Sequence, residues 1–138
     1  MSNSIAMIKP AKIQVRFSDL DVLGHVNNNI YFSYFEMGRI HYFAELLGVD
    51  WDWKVNTAVL AKNEVEYIRP VLLGDSPEIT VFCEHLGTKS FTLCYELTVN
   101  GIIFAKGKSV LVAYDGISGK SVEIHPFMRD GLAKILKS

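Results

Sequence analysis

The sequence predicts an α+β fold, an antiparallel sheet of five to six strands wrapped around one long central helix. Residues 30–47 contain no proline and no internal turn cluster. Ile30, Phe32, Phe35, Met37, Ile40, Phe43, Leu46 and Leu47 leave hardly any face polar, the profile of a buried helix. Nearly every other patterned stretch alternates with period two or is bounded by turn residues at strand-like spacing. A long apolar helix inserted after the first strand of such a sheet is covered only if the sheet curls round it.

In chain order, Lys12, Ile13, Gln14, Val15, Arg16 and Phe17 alternate polar and apolar, predicting a strand over residues 12–17 with one buried face. Residues 18–29 break the pattern with Asp19, Asp21, Gly24 and three successive asparagines, which is loop and helix-cap chemistry. The helix follows, and Gly48 is placed to stop it. After a connection carrying Trp51 and Trp53, strands are expected over residues 58–68, 78–86, 90–99 and 102–114, with a short one over 121–124. Pro70, Gly74-Asp75, Gly87, Asn100-Gly101 and Asp115-Gly116 separate or end them. Phe91, Leu93, Tyr95, Leu97 and Val99 place one face of their strand on a core. Residues 127–136 suit a short amphipathic helix, and no repeat, low-complexity tract or linker divides residues 1–138 into more than one domain.

Composition bounds the function. With 49% hydrophobic and 21% charged residues, the 138-residue chain is a globular protein rather than a disordered one, long enough to fold without disulfide or metal. Cys83 and Cys94 match no zinc spacing and are expected as reduced, buried thiols. Fourteen basic against fifteen acidic side chains leave no electrostatic footprint for nucleic acid. No apolar run approaches the ~20 residues of a membrane span, and residues 1–11 lack the apolar core of a secretory leader, so the expected compartment is the cytoplasm.

The densest group of reactive side chains is Asp19, Asp21, His25, Asn27 and Asn28, in the loop leading into the apolar helix. A carboxylate beside the exposed N–H groups and positive dipole end of a helix can act as nucleophile or base while the amides hold a developing oxyanion. The same residue types also serve as plain helix caps, and Asp19 is expected as a loop or cap residue. His41, His85 and His125 are scattered with no metal-ligand spacing. Glu64 and Glu66 share one strand face and suit a solvated or Arg69-paired edge, and Glu36 is either an exposed position or an acid paired with Arg39. No G-x-S-x-G elbow is present.

The string D-L-D-V-L-G-H-V-N-N-N-I-Y-F-S-Y-F-E, residues 19–36, closely resembles the signature of the 4-hydroxybenzoyl-CoA thioesterase family, hot-dog-fold proteins that hydrolyse acyl-CoA thioesters. It is similar also to the H-V-N-N loop of plant-type acyl-carrier-protein thioesterases. The resemblance extends over residues 12–126, with E-V-E-Y-I-R-P-V-L-L-G-D at 64–75 and K-S-F at 89–91. It implies Asp21 as the catalytic acid, acting as nucleophile or general base, and the backbone N–H of Asn28 as oxyanion donor. His25, Asn27, Tyr31, Lys89 and Ser90 are then substrate-contacting candidates. Basic residues such as Lys62, Arg69 and Lys89 suit the CoA phosphates, and Tyr31, Phe32, Tyr34 and Phe35 the acyl tunnel. The resemblance implies an acyl-CoA substrate, no metal and no organic cofactor, and a homodimer that assembles further to a tetramer. Two other readings stay open: a hot-dog module that binds an acyl thioester without turnover, and a thioesterase acting on acyl-carrier protein, which the near-neutral charge disfavours.

Overall fold

Eighteen residues free of proline and closed by a glycine form helix α1, Ile30–Leu47, in the computed structural model, which describes residues 8–137. Most of the stretch read for a secretory leader, and residues 1–7 and 138 of the expected domain, lie outside the described residues. Gly48 takes φ 81°, a conformation that favours glycine, and its N–H closes the helix on the Ala44 carbonyl at 3.1 Å. The helix is less uniformly buried than its composition suggests. Tyr31, Tyr34, Phe35, Gly38, Tyr42, Phe43, Leu46 and Leu47 face the core, while Met37 and Ile40 are exposed.

The strands are β1 (Ala11–Lys12), β2 (Asn56–Tyr67), β3 (Glu78–Leu86), β4 (Ser90–Val99), β5 (Ile102–Asp115) and β6 (Lys120–Ser121). All pairs are antiparallel, in the order β1-β3-β4-β5-β2, with β6 pairing to β5. The expected hot-dog architecture is therefore present: a curled antiparallel sheet with one long helix packed on it. Asn100 and Gly101 carry φ of 52° and 79°, the two positive values that a tight hairpin between twisted strands needs. Phe91, Leu93, Tyr95, Leu97 and Val99 of β4 all face the core. Phe35 stacks on Tyr95 with ring centroids 4.8 Å apart and lies against Gly107 of β5, where a side chain would collide with its ring.

Five elements differ from the expected bounds: β2 spans Asn56–Tyr67 rather than 58–68, β5 ends at Asp115 rather than at residue 114, and the first strand, the final strand and the C-terminal helix differ as well. The first strand stops at Lys12 rather than running to residue 17, although Ala11, Ile13 and Val15 stay buried and Lys12, Gln14 and Arg16 exposed. The Ile13 N–H reaches the Pro77 carbonyl at 2.9 Å, but proline has no N–H to return, so the ladder ends there. The final strand is only Lys120–Ser121. The C-terminal helix, α2, spans Pro126–Ala133 and packs Gly131 against Leu46 and Leu47 of α1.

Candidate active site

The loop before α1 is built on a buried carboxylate. A single 3-10 turn, Phe17–Asp19, drives Asp19 inward until only 1% of it is exposed. Its oxygens accept the Arg16 N–H at 3.0 Å, the Arg16 guanidinium at 3.0 Å and the Tyr34 hydroxyl at 2.7 Å. Burial alone would raise the pKa of this carboxyl, but the Arg16 N–H, the Tyr34 hydroxyl and the Arg16 side chain outweigh burial and hold it below the usual carboxylate value. The Tyr34 hydroxyl is pushed up, first by burial and then by donating to an anion. Asp19 is thus a buried anchor of the loop, completing the capping box of the 3-10 turn with Arg16 and not capping α1, whose N-cap is Asn29.

Asp21 stands differently. Its N–H donates to the His25 carbonyl at 2.7 Å, and its Oδ1 accepts the N–H groups of Leu23 at 2.9 Å and His25 at 3.1 Å. Oδ2 accepts no hydrogen bond among the described residues. The turn is closed by Gly24, at φ 81°, and Leu20 bridges Val26. Val26 N–H on the Val71 carbonyl at 2.8 Å and a bridge from His25 to Leu72 tie the loop to the segment after β2. One carboxylate oxygen is therefore held by the loop, and the other is not engaged by any described group.

Asn28 lies just outside the helix, one residue before the N-cap Asn29. The Ile30 N–H donates to the Asn27 carbonyl at 2.9 Å, and in a trans peptide the Asn28 N–H must then point the opposite way, away from that turn. It donates to no group among the described residues. On the next peptide, the Tyr67 hydroxyl donates to the Asn28 carbonyl at 2.8 Å. The two peptide planes flanking Asn28 are thus held, one by the turn itself and the other by Tyr67. An uncommitted carboxylate oxygen and an outward main-chain N–H at the positive end of a helix can supply an attacking group and a donor for an oxyanion.

The other sequence candidates fall in two places. His25 is half-buried and Asn27 exposed in the same loop. Tyr31 is 2% exposed, its hydroxyl accepts the Val71 N–H at 3.3 Å, and its ring meets Tyr67 edge-on at 4.9 Å. Lys89 and Ser90 lie elsewhere: Ser90 pairs with Val112 of β5, whereas Tyr67, which touches Asn28, pairs with Ala105. Seven residues along one strand is about 24 Å, so within one chain Lys89 and Ser90 are remote from Asn28. The expected aromatic tunnel is also rearranged. Tyr31, Tyr34 and Phe35 are core side chains, and only Phe32 of the four is partly accessible.

Glu36 is exposed and makes no ion pair with Arg39, which instead donates to the buried Tyr95 hydroxyl at 3.0 Å. Glu64 lies 3.9 Å from Lys62, while Arg69 sits over the Phe104 ring. Sequence reasoning missed Arg16, Tyr34 and Tyr67 as builders of the site. The one available signal was for Tyr67, which shares a strand face with half-buried Val65. Among the described residues, no cluster of three His, Cys, Asp or Glu side chains is arranged to hold a metal ion.

The chain is similar to known proteins in both sequence and fold. Residues 15–132 match the model of the thioesterase-like superfamily. YsmA of Bacillus subtilis (strain 168) is 36% identical over 112 residues, covering 80% of this chain and 76% of that protein. The long-chain acyl-CoA thioesterase FadM of Escherichia coli (strain K12) is 29% identical over 129 residues, covering 91% of this chain and 98% of FadM. Among solved structures, a thioesterase from Thermus thermophilus complexed with coenzyme A and Zn aligns with a TM-score of 0.79 at 37% identity, covering 94% of this chain and 96% of that one.

Proposed function

The chain belongs to the thioesterase-like superfamily, and from that premise we propose that it hydrolyses acyl-CoA thioesters in the cytoplasm to a free carboxylic acid and CoA. The observation that carries the proposal is Asp21, with one oxygen held by two loop N–H groups and the other uncommitted, in the loop that ends at the outward Asn28 N–H. The thioester oxygen would lie at the Asn28 amide. Asp21 would either attack the carbonyl carbon, forming an anhydride that water then opens, or take a proton from the attacking water. On either route the C–S bond breaks and the sulfur leaves as the CoA thiol. His25 and Asn27, in the same loop, are the contacts we propose nearest the thioester. FadM's acyl-CoA activity and the coenzyme A held by the Thermus thioesterase support CoA as the carrier.

The working unit we propose is at least a homodimer. β2 is a twelve-residue edge strand, with Val59, Leu60 and Tyr67 all exposed. Such an edge invites antiparallel pairing with a second copy. A two-fold pairing of β2 would set the Asn56 end of one strand beside the Tyr67 end of the other. Lys89 and Ser90, at the Asn56 end of the sheet, would then face the partner's loop and could serve the CoA phosphates there.

A panel of acyl-CoA esters followed by thiol release tests the chemistry. Asp21→Asn is expected to lower kcat by about 10²-fold or more with an unchanged fold. Equal activity in the variant would overturn the assignment, and wild-type inactivity on every ester would favour a binding module. Light scattering that gives the 15.5 kDa monomer would remove the dimer.

A further inference from the structure

Asp75 has no part in the chemistry above, yet it closes a turn against which the Asp21 loop is built. The Leu72 N–H donates to Asp75 Oδ2 at 2.9 Å and the Asp75 N–H donates to the Leu72 carbonyl at 3.0 Å, so this half-buried residue ties both ends of the turn. Pro70 and Pro77 bound the segment, and neither has an N–H to donate. Resting on the thioesterase reading, we propose that Asp75 is a positioning residue for Asp21: by closing this turn it fixes the Val71–Leu72 backbone on which the loop aligns the Asp21 carboxylate.

The path from Asp75 to Asp21 is short and made of main chain. Val71, fully buried, accepts the Val26 N–H at 2.8 Å, and Leu72 bridges His25 antiparallel. His25 in turn directs its own peptide groups at Asp21: its N–H donates to Oδ1 at 3.1 Å, and its carbonyl accepts the Asp21 N–H at 2.7 Å. Successive residues of an extended segment bond to opposite sides, so His25 serves Asp21 while Val26 serves Val71. Displacing Val71 and Leu72 therefore displaces the donor that aims the carboxylate. The same segment also reaches α1, because the Val71 N–H donates to the Tyr31 hydroxyl at 3.3 Å. Burial first, and then the nearby Tyr67, Asp21 and Asp75 side chains, push the Tyr31 hydroxyl up, so both carboxylates lie within electrostatic reach of one phenol.

Among the described residues Asp75 makes no hydrogen bond to Asp21, so it acts on the carboxylate through the backbone. Misplacing a reacting group by about 1 Å costs up to about 10²-fold in rate. A residue that never touches substrate is felt in kcat and not in KM. Asp75→Ala is expected to lower kcat for acyl-CoA hydrolysis about tenfold or more with KM within about twofold. Asp75→Asn, whose amide oxygen still accepts the Leu72 N–H, should bring kcat back to within about threefold of wild type. Hydrogen exchange followed by NMR reads the loop without any substrate. The His25 amide should exchange about tenfold faster in Asp75→Ala and at the wild-type rate in Asp75→Asn, while core amides such as that of Leu97 keep their rates.

If wild type hydrolyses no ester but the His25 amide still loosens in Asp75→Ala, the thioesterase reading fails and Asp75 stands as the residue that orders the loop. If esters are hydrolysed and Asp75→Ala matches wild type in both kcat and His25 exchange, the positioning role is overturned and the thioesterase reading survives. A loss in Asp75→Asn equal to that in Asp75→Ala also overturns it, since the charge and not the turn would then be at work. So does acceleration of every amide alike, which would make Asp75 a contributor to global stability alone. Should Asp75→Ala fail to fold, Asp75→Ser, with its shorter acceptor, takes its place against Asp75→Asn with the same outcomes.

Discussion

Tyr34 donates its hydroxyl to Asp19 at 2.7 Å across fifteen residues, so the first turns of α1 hold the very loop that leads into the helix. Phenylalanine at this position keeps the ring and removes one of three donors from a buried anion. Tyr34→Phe is expected to lower stability by about 2 kcal/mol, the scale of a hydrogen bond to a charged group. Urea denaturation measures it, and an unchanged midpoint would show that the loop is held by other contacts.

The same carboxylate makes stability depend on acid. Burial raises the Asp19 pKa, and the donors from Arg16 and Tyr34 bring the net value below that of a free carboxylate. A depressed folded-state pKa adds stability above the unfolded value of about 3.9 and loses it as pH falls toward the lower folded value. Wild type should therefore exceed Asp19→Asn in Tm by a constant margin from pH 7 to about 5, with the margin shrinking below about pH 4. A margin independent of pH down to about 3 would contradict the charge argument.

Tyr67 fixes the Asn28 carbonyl from a strand 39 residues away, and 42% of it remains exposed. Tyr67→Phe should cost little stability, about 1 kcal/mol or less. If Asn28 supplies the oxyanion donor, a loosened peptide would lower kcat about tenfold while KM changes little, because misplacement of a donor is felt chiefly in the transition state. Equal kcat in the two proteins would detach Tyr67 from the chemistry.

Burial pushes the Cys83 thiol up to about 11, and burial together with its bond to Glu84 does the same for Cys94. Both are free and buried. At about pH 8 the native protein should resist iodoacetamide at both positions and take up two labels once unfolded, as intact mass will show. Rapid native labelling of either cysteine would mean that the sheet opens there.

The sequence was most legible where structure is local. β3, β4 and α1 begin and end where their patterns begin and end, because period-two alternation, Gly87 and Gly48 act within a few residues. The early end of β1 was not legible, since it depends on the missing N–H of Pro77, far along the chain. Nor could composition tell that Ile40 and Met37 face outward, because an apolar residue reads the same over a core or an open groove. In the site, the Asp21 to Asn28 string stood out as a motif. The hydroxyls of Tyr34 and Tyr67 did not, being joined to it only by the fold. The separation of Lys89 and Ser90 from that loop was equally hidden, as it follows from which residues of β5 each strand pairs with.

The order of strands also sets an order of assembly. β3, β4 and β5 form a meander whose β4–β5 ladder starts at Val99 and Ile102, next to a two-residue turn. By contrast, β2 pairs with β5 from Tyr67 with Ala105 outward to Asn56 with Asp115. That ladder closes a loop containing the whole meander, and loop closure must precede the contacts that reward it. A chain emerging from the ribosome therefore carries α1 and β2 ahead of the strand that completes them, and its most apolar helix waits uncovered while the hairpins behind it form.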